Sequence, residues 1–261
     1  MGVSAGATPH LAERTATVVW HELECGRYSA DLGLWRELAR EAQRGSARAR
    51  ILDVGAGSGR VTLALAREGH AVTALDLDQT LLDALAERAA ANGLDVRTVR
   101  GDARQFTLET DEFDLCVIPM QTIQLLGGGD GRVKFLRSAR AHLRAGAVLA
   151  CAIVTELEPF ECEPGQPAPT PETVRVGEVE YSSQATAVRL EESRIRIERV
   201  RTIAGAPGAD VTSERNAIEL DRVSAMELAV EGREAGFEVD GVREIAATEE
   251  HVGGDVVLLR A

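Results

Sequence analysis

Hydrophobic positions along this chain follow two rhythms, and the change between them divides the sequence. From about residue 50 to 154, short apolar runs alternate with stretches whose apolar residues recur every three to four positions. These are the signatures of buried strands and amphipathic helices. The runs at 50–54, 71–76, 95–99, 113–118 and 147–154 read as strands. The stretches at 59–68, 79–92 and 131–143 read as helices, with Asn92-Gly93 and Leu143-Arg-Ala-Gly146 as helix stops. Upstream, 11–43 has helical spacing broken near Gly26, and Tyr28, Leu32 and Trp35 share one helix face. Residues 1–9 are small and polar and are expected to lack fixed structure.

The second rhythm starts after a segment, 156–171, that carries five prolines and reads as a linker. From 173 to 223 polar and apolar residues alternate, as in Arg194-Ile-Arg-Ile-Glu-Arg-Val-Arg201, with a break at Gly205-Ala-Pro-Gly208. Period two with one apolar face predicts three or four antiparallel strands. Ser224 with Glu227 three residues on is a capping box, opening a helix to about 235. Two last strands follow at 237–245 and 255–260.

Strands alternating with helices predict an α/β fold: a seven-stranded, mostly parallel, doubly wound sheet whose last strand is antiparallel. The expected organisation is an N-terminal helical cap (1–45), a core (46–155), an antiparallel β insertion after strand five (156–223), and a C-terminal helix with the last two core strands (224–261). An inserted sheet with one apolar face must cover something. It either roofs a pocket or pairs with a second subunit, so a homodimer is one expectation.

Composition narrows the partners. Net charge is -13, from 42 acids against 29 Lys and Arg, and Lys134 is the single lysine. That balance argues against binding nucleic acid, whose recognition needs clustered cations. Cys25, Cys116, Cys151 and Cys162 form no C-x-x-C and read as reduced thiols, with no zinc spacing. No leader pattern opens the chain, and the apolar run at 147–154 is far short of the ~20 residues that span a bilayer. The expectation is a cytoplasmic protein with no membrane segment, no metal and a small-molecule partner.

The candidate chemistry lies at the ends of the core strands. Asp53-Val-Gly55-Ala56-Gly57-Ser-Gly59-Arg60 puts a glycine-rich turn between strand one and its helix, where backbone can approach a ligand closely. Asp76, 23 residues after Asp53, ends strand two, where a carboxylate can accept from both hydroxyls of a ribose. A nucleoside-containing cofactor follows from these two features. The D-x-G-x-G-x-G spacing differs from the dinucleotide fingerprint, whose third glycine falls three after the second. It resembles motif I of the class I S-adenosylmethionine (SAM) methyltransferases. Three further elements continue that resemblance in order: Asp76, the turn Gly101-Asp102-Ala103, and Phe113-Asp-Leu-Cys-Val-Ile-Pro119. Together they cover roughly 48–155; Pro119-Met120 departs from many relatives.

The resemblance implies SAM-dependent methyl transfer to an O, N or C nucleophile of a small molecule, possible in natural-product metabolism. It implies that Gly55, Ala56, Gly57, Gly101, Ala103, Pro119 and Met120 line the cofactor, and that Asp53 reaches its methionine amine. Asp76 would hold the ribose, Leu77 would pack on the adenine, and Asp102 would meet the adenine amine. Tyr28, on a helix that such enzymes fold over the cofactor, is a candidate for cofactor and substrate. Gln121 and Gln124 follow strand four, where the acceptor approaches; capping or solvated amides are the alternative. The sequence there, Ile118-Pro-Met-Gln121, lacks the acid and aromatic of base-modifying relatives. His251, in the loop joining the last two strands, is a candidate base and substrate ligand, because imidazole accepts protons near neutral pH. His21 is a second catalytic candidate; both also read as plain surface histidines. Two other readings stand beside this one: an NAD-dependent oxidoreductase, and a SAM-binding protein without turnover.

Overall fold

A computed structural model describes residues 9–43, 46–109, 112–163, 168–205, 210–248 and 251–261. The expectations for 1–8, for the break at 206–209 and for Glu249 and Glu250 fall outside these residues. The elements run α1 (Pro9–His21), a π-helical turn (Glu22–Gly26), α2 (Leu32–Ala42), β1 (Arg50–Val54), α3 (Arg60–Arg67), β2 (Ala71–Asp76), α4 (Gln79–Ala91), β3 (Val96–Arg100) and β4 (Phe113–Ile118). After a 3-10 turn (Thr122–Leu125) come α5 (Gly128–Arg140), β5 (Leu143–Ile153), β6 (Phe160–Glu161), β7 (Glu172–Val176), β8 (Val179–Leu190), β9 (Arg194–Ala204), β10 (Val211–Asp221), α6 (Ala225–Glu234), β11 (Glu238–Ile245) and β12 (Gly254–Arg260).

Seven strands form one sheet in the order β11-β12-β5-β4-β1-β2-β3. All neighbours from β3 to β5 are parallel, and β12 runs antiparallel to both β5 and β11. The mostly parallel sheet is therefore as expected. Its central strands are buried on both faces, which is why they read as continuous apolar runs. Two large apolar clusters hold the helices to it. One gathers Phe135, Leu136, Leu228 and Phe237 on one face, and the other gathers Trp35, Leu38, Val61 and Leu65 on the opposite face. The chain order reverses between β1 and β4, so the ligand-binding crevice of such a sheet lies beyond their carboxyl ends.

The alternating stretch forms a second sheet, β10-β9-β8-β6, with β7 also on β8. One end of it packs Tyr181 against Trp20, Val19 and Leu23 of the N-terminal segment, the Trp20 and Tyr181 rings meeting edge-on at 5.2 Å. The other end packs Val188, Ile195 and Leu220 against Val154, just past β5. The inserted sheet thus bridges from the N-terminal segment to the far side of the crevice.

Three local readings change. The fifth helix begins at Gly128, not near 131, despite its glycines. The Gly128 N–H is anchored by Asp221 Oδ2 at 2.5 Å, and Gly131 is pressed against the Leu126 carbonyl, where no side chain fits. That helix ends at Arg140, and 143–146 opens β5 across a register shift against β4. Within the proline-rich segment, Phe160–Glu161 pairs with β8. The capping box on α6 is present, with Ser224 Oγ accepting from the Glu227 N–H at 3.2 Å and Glu227 Oε2 accepting from the Ser224 N–H at 2.8 Å.

Candidate functional site

The glycine turn is built by backbone that residues with a side chain adopt rarely and at a cost. Gly55, Gly57 and Gly59 have φ of 71°, 53° and 98°, in the left-handed region where a Cβ is disfavoured. Space is as limiting as conformation. A side chain at Gly55 would run into Thr122, and one at Gly57 into the His21 ring. The turn is tied to β2 because the Gly55 and Ala56 N–H groups both donate to the Leu75 carbonyl, at 2.8 and 3.2 Å. Gly101 closes the next strand, its N–H donating to the Asp76 carbonyl at 2.9 Å.

Asp76 ends β2 half-buried. Its Oδ2 accepts from the Gly57 N–H at 2.7 Å and its Oδ1 from the Asp78 N–H at 2.9 Å, so the carboxylate is aimed by the turn beside it. Next to it Leu77 is 64% exposed, an apolar side chain at the end of β2. Across the sheet edge, Asp102 is held by Arg104, whose Nη2 donates to Oδ2 at 2.7 Å and whose Nε lies 3.0 Å from Oδ1. Those hydrogen bonds hold the Asp102 carboxyl below the usual carboxylate range. Ala103 packs on the core edge beside it.

Asp53, at the end of β1, is 1% exposed. Its Oδ2 accepts from Thr62 Oγ1 at 2.6 Å, while its Oδ1 has no hydrogen-bond partner. Burial pushes its pKa up to about 6. A buried carboxylate oxygen without a partner is costly, and a donor, an ammonium among them, can satisfy it. The orphaned oxygen, the glycine cradle, the aimed Asp76 and the exposed Leu77 together fit a cofactor that carries an ammonium, a ribose and a flat base. Because Asp53 must be ionised to pair with an ammonium, affinity for such a cofactor should rise about tenfold between about pH 5 and 7. Asp53→Asn should flatten that rise in calorimetric titrations; a rise that persists in the variant would dissociate it from Asp53. The sign for stability is opposite. A raised carboxyl pKa means the empty native state is favoured at low pH and loses that advantage as pH climbs from the ordinary carboxylate range through about 6.

The remaining candidates separate. Pro119 is buried, and Met120 takes φ of 54°, a left-handed conformation that turns the chain sharply past β4 beside the glycine turn. Gln121 is half-buried there. Gln124 is fully buried and structural: its Nε2 donates to the Val154 and Asp221 carbonyls at 3.1 and 3.0 Å, and its Oε1 accepts from the Val154 N–H at 2.8 Å. That corrects the expectation of substrate contact, since the amide braces the inserted sheet to the core. His251 lies in the loop before β12, next to the end of β5, as the topology required. Its ring meets Tyr28 edge-on at 5.0 Å. Tyr28 also lies under the Arg60 guanidinium, 5.1 Å from the ring centre.

Several residues of this edge give no signal in the sequence. Asp31 is fully buried, receives two hydrogen bonds from Arg60 at 2.5 and 2.8 Å, and accepts from Trp35 Nε1 at 2.7 Å. It clamps the N-terminal segment onto the residue that follows the glycine motif. In the π turn, Glu22 accepts from Ser58 and from Arg88 Nη1, the latter at 2.5 Å. Glu24 faces the other way and accepts from Ser183 Oγ and both Nε and Nη2 of Arg201 on the inserted sheet. Among the described residues, no group of His, Cys, Asp and Glu is arranged to hold a metal ion, and no helix is long and apolar enough to cross a membrane.

Comparison with known proteins bears on the same segment. Residues 51–146 match a family described as a methyltransferase domain. Over 110 residues the chain is 32% identical to a cypemycin N-terminal methyltransferase of Streptomyces, covering 41% of this chain and 44% of that protein. Over 121 residues it is 33% identical to a ubiquinone biosynthesis O-methyltransferase of Caulobacter vibrioides, covering 44% and 46%. The chain thus spans less than half the length of these curated relatives. Among solved structures it superposes on SAM-bound CalS10 of Micromonospora echinaspora, an amino pentose methyltransferase, with a TM-score of 0.67 and 21% identity, covering 93% of this chain and 97% of that one. At that identity the likeness establishes a common fold.

Proposed function

We propose that this chain, whose residues 51–146 match a methyltransferase-domain family within a seven-stranded, mostly parallel sheet, transfers a methyl group from SAM to a small-molecule acceptor. The observation that carries the reading is the unpartnered, buried Asp53 Oδ1 at the end of β1, the strand that leads into the glycine cradle on which Asp76 is aimed. When bound, SAM supplies a methyl group made electrophilic by its sulfonium. The protein's part is alignment. Asp76 would take the ribose hydroxyls, Asp53 the ammonium, and Leu77 the face of the adenine. Gly101, Asp102 and Ala103 would border its edge. Holding two reactants in line supplies much of the rate by itself, with effective molarities reaching ~10⁵ M or more. The named relatives are an N-terminal methyltransferase and an O-methyltransferase, so kinship leaves the acceptor atom open. The inserted sheet would roof the acceptor pocket, and Gln121 and Tyr28 would line it.

Calorimetry tests the cofactor: S-adenosylhomocysteine should bind and NAD should not. The reverse pattern would sink the reading in favour of an oxidoreductase. His251 is the base this reading assigns, because it precedes β12, whose first residues pair with the carboxyl end of β5, and its ring meets Tyr28 edge-on at 5.0 Å. His251→Ala is expected to lower kcat by about 10²–10⁴ with cofactor affinity unchanged. The loss should shrink for an acceptor that is already deprotonated. An unaltered kcat from about pH 6 to 9 would remove His251 from the mechanism.

A further inference from the structure

The last residue of α1, His21, sits on the glycine turn, and a three-residue chain of hydrogen bonds decides which of its nitrogens carries the proton. His21 Nδ1 lies 2.9 Å from Ser58 Oγ, and Ser58 Oγ also bonds Glu22 Oε1. A hydroxyl has one proton to give. Burial raises the Glu22 pKa, but the hydrogen bonds from Arg88 and Ser58 outweigh it and hold the group below its ordinary value. An ionised carboxylate only accepts, so the serine proton goes to Glu22. Ser58 Oγ must then accept from His21, which places a hydrogen on Nδ1. Arg88 fixes Glu22 from the far side, donating to its Oε1 at 2.5 Å and to the Ser58 carbonyl at 3.2 Å. Burial also lowers the His21 pKa. The ring is therefore neutral near pH 7, and its other nitrogen, Nε2, carries a lone pair. That nitrogen is the His21 atom a side chain at Gly57 would strike first.

We propose that Glu22 and Ser58 are positioning residues that lock His21 as its Nδ1–H tautomer, so that Nε2 presents a hydrogen-bond acceptor over Gly57. The partner it suits is a donor of the cofactor, an N–H of its methionine portion or an O–H of its ribose. This rests on reading the crevice as the SAM site, and it gives His21 a binding role in place of the catalytic role expected for it. The polar groups facing the ring are Glu22 from the π turn, Ser58 and Arg60 from the glycine turn and α3, Asp76 from β2 and Arg88 from α4. Among the described residues, the ring's hydrogen-bond partner is Ser58, on Nδ1, which leaves Nε2 available.

Nitrogen-15 spectra of the histidine ring, recorded on the whole chain without ligand, read the tautomer directly. The wild type should carry its His21 proton on Nδ1, and Ser58→Ala should shift it toward Nε2. By calorimetry, S-adenosylhomocysteine should bind Ser58→Ala and His21→Leu about tenfold more weakly than wild type. His21→Gln, whose amide oxygen can stand where Nε2 stood, should recover most of that loss. Thermal melts of each variant separate misfolding from lost binding. A proton on Nε2 in the wild type overturns the relay. Unchanged affinity in His21→Leu overturns the cofactor contact, and so does a His21→Gln as weak as His21→Leu. If the wild type fails to bind S-adenosylhomocysteine at all, the SAM reading itself falls while the spectra still decide the tautomer.

Discussion

Asp76→Ala is expected to lose cofactor binding by roughly two to four orders of magnitude. Two hydrogen bonds from ribose hydroxyls to a carboxylate contribute about 1.5–3 kcal/mol each, and every 1.4 kcal/mol is about tenfold in affinity. In the empty protein the same carboxylate receives the Gly57 and Asp78 N–H groups. Those two bonds aim both oxygens along the turn, and they make the substitution felt at Gly57 as well. Asp76→Asn keeps one acceptor oxygen and should fall between the two. Calorimetry with S-adenosylhomocysteine measures all three proteins. Affinity within about twofold of wild type for Asp76→Ala would remove the ribose from this position.

The largest loss of stability should come from a residue outside the cofactor motif. Asp31→Ala leaves the Arg60 guanidinium, whose side chain is 9% exposed, without its carboxylate, and it leaves Trp35 Nε1 without an acceptor. Breaking a buried pair by removing one partner costs about 3–5 kcal/mol, because the remaining charge stays buried and unpaired. Urea unfolding should report that loss. Asp31→Leu combined with Arg60→Met should be more stable than Asp31→Ala, since removing both charges leaves neither stranded. A value for Asp31→Ala within about 1 kcal/mol of wild type would mean that water reaches Arg60.

These residues mark where sequence reasoning reached and where it stopped. The core strands and the glycine turn were legible because their signals are local. An apolar run ends at Asp53, glycines follow at alternate positions, and a second run ends at Asp76. The alternation from 173 to 223 announced the inserted sheet for the same reason. Asp31, Ser58 and Glu22 were not legible, because each is defined by a partner far along the chain: Arg60 for Asp31, His21 for Ser58, Arg88 for Glu22. Gln124 was misjudged on the same ground. Its position after strand four suggested a ligand contact, whereas the carbonyls of Val154 and Asp221 that take its amide are brought near only by the fold. The start of the fifth helix was hidden by Gly127-Gly128-Gly129, which reads as a turn. Tertiary anchoring by Asp221 overrides that local preference.

The π turn makes the two halves of the crevice mechanically inseparable. Glu22 is fastened to the glycine turn through Ser58 and Arg88, and Glu24, two residues on, is fastened to Arg201 and Arg199 of the inserted sheet. Five residues cannot lift from one layer without pulling on the other. On the proposed reading, cofactor exchange that shifts the π turn would therefore also strain the grip on β9, and the inserted sheet would respond to the cofactor site. Amide hydrogen exchange in β9 should slow when S-adenosylhomocysteine is added; exchange there that ignores the ligand would show two independent latches instead of one lever.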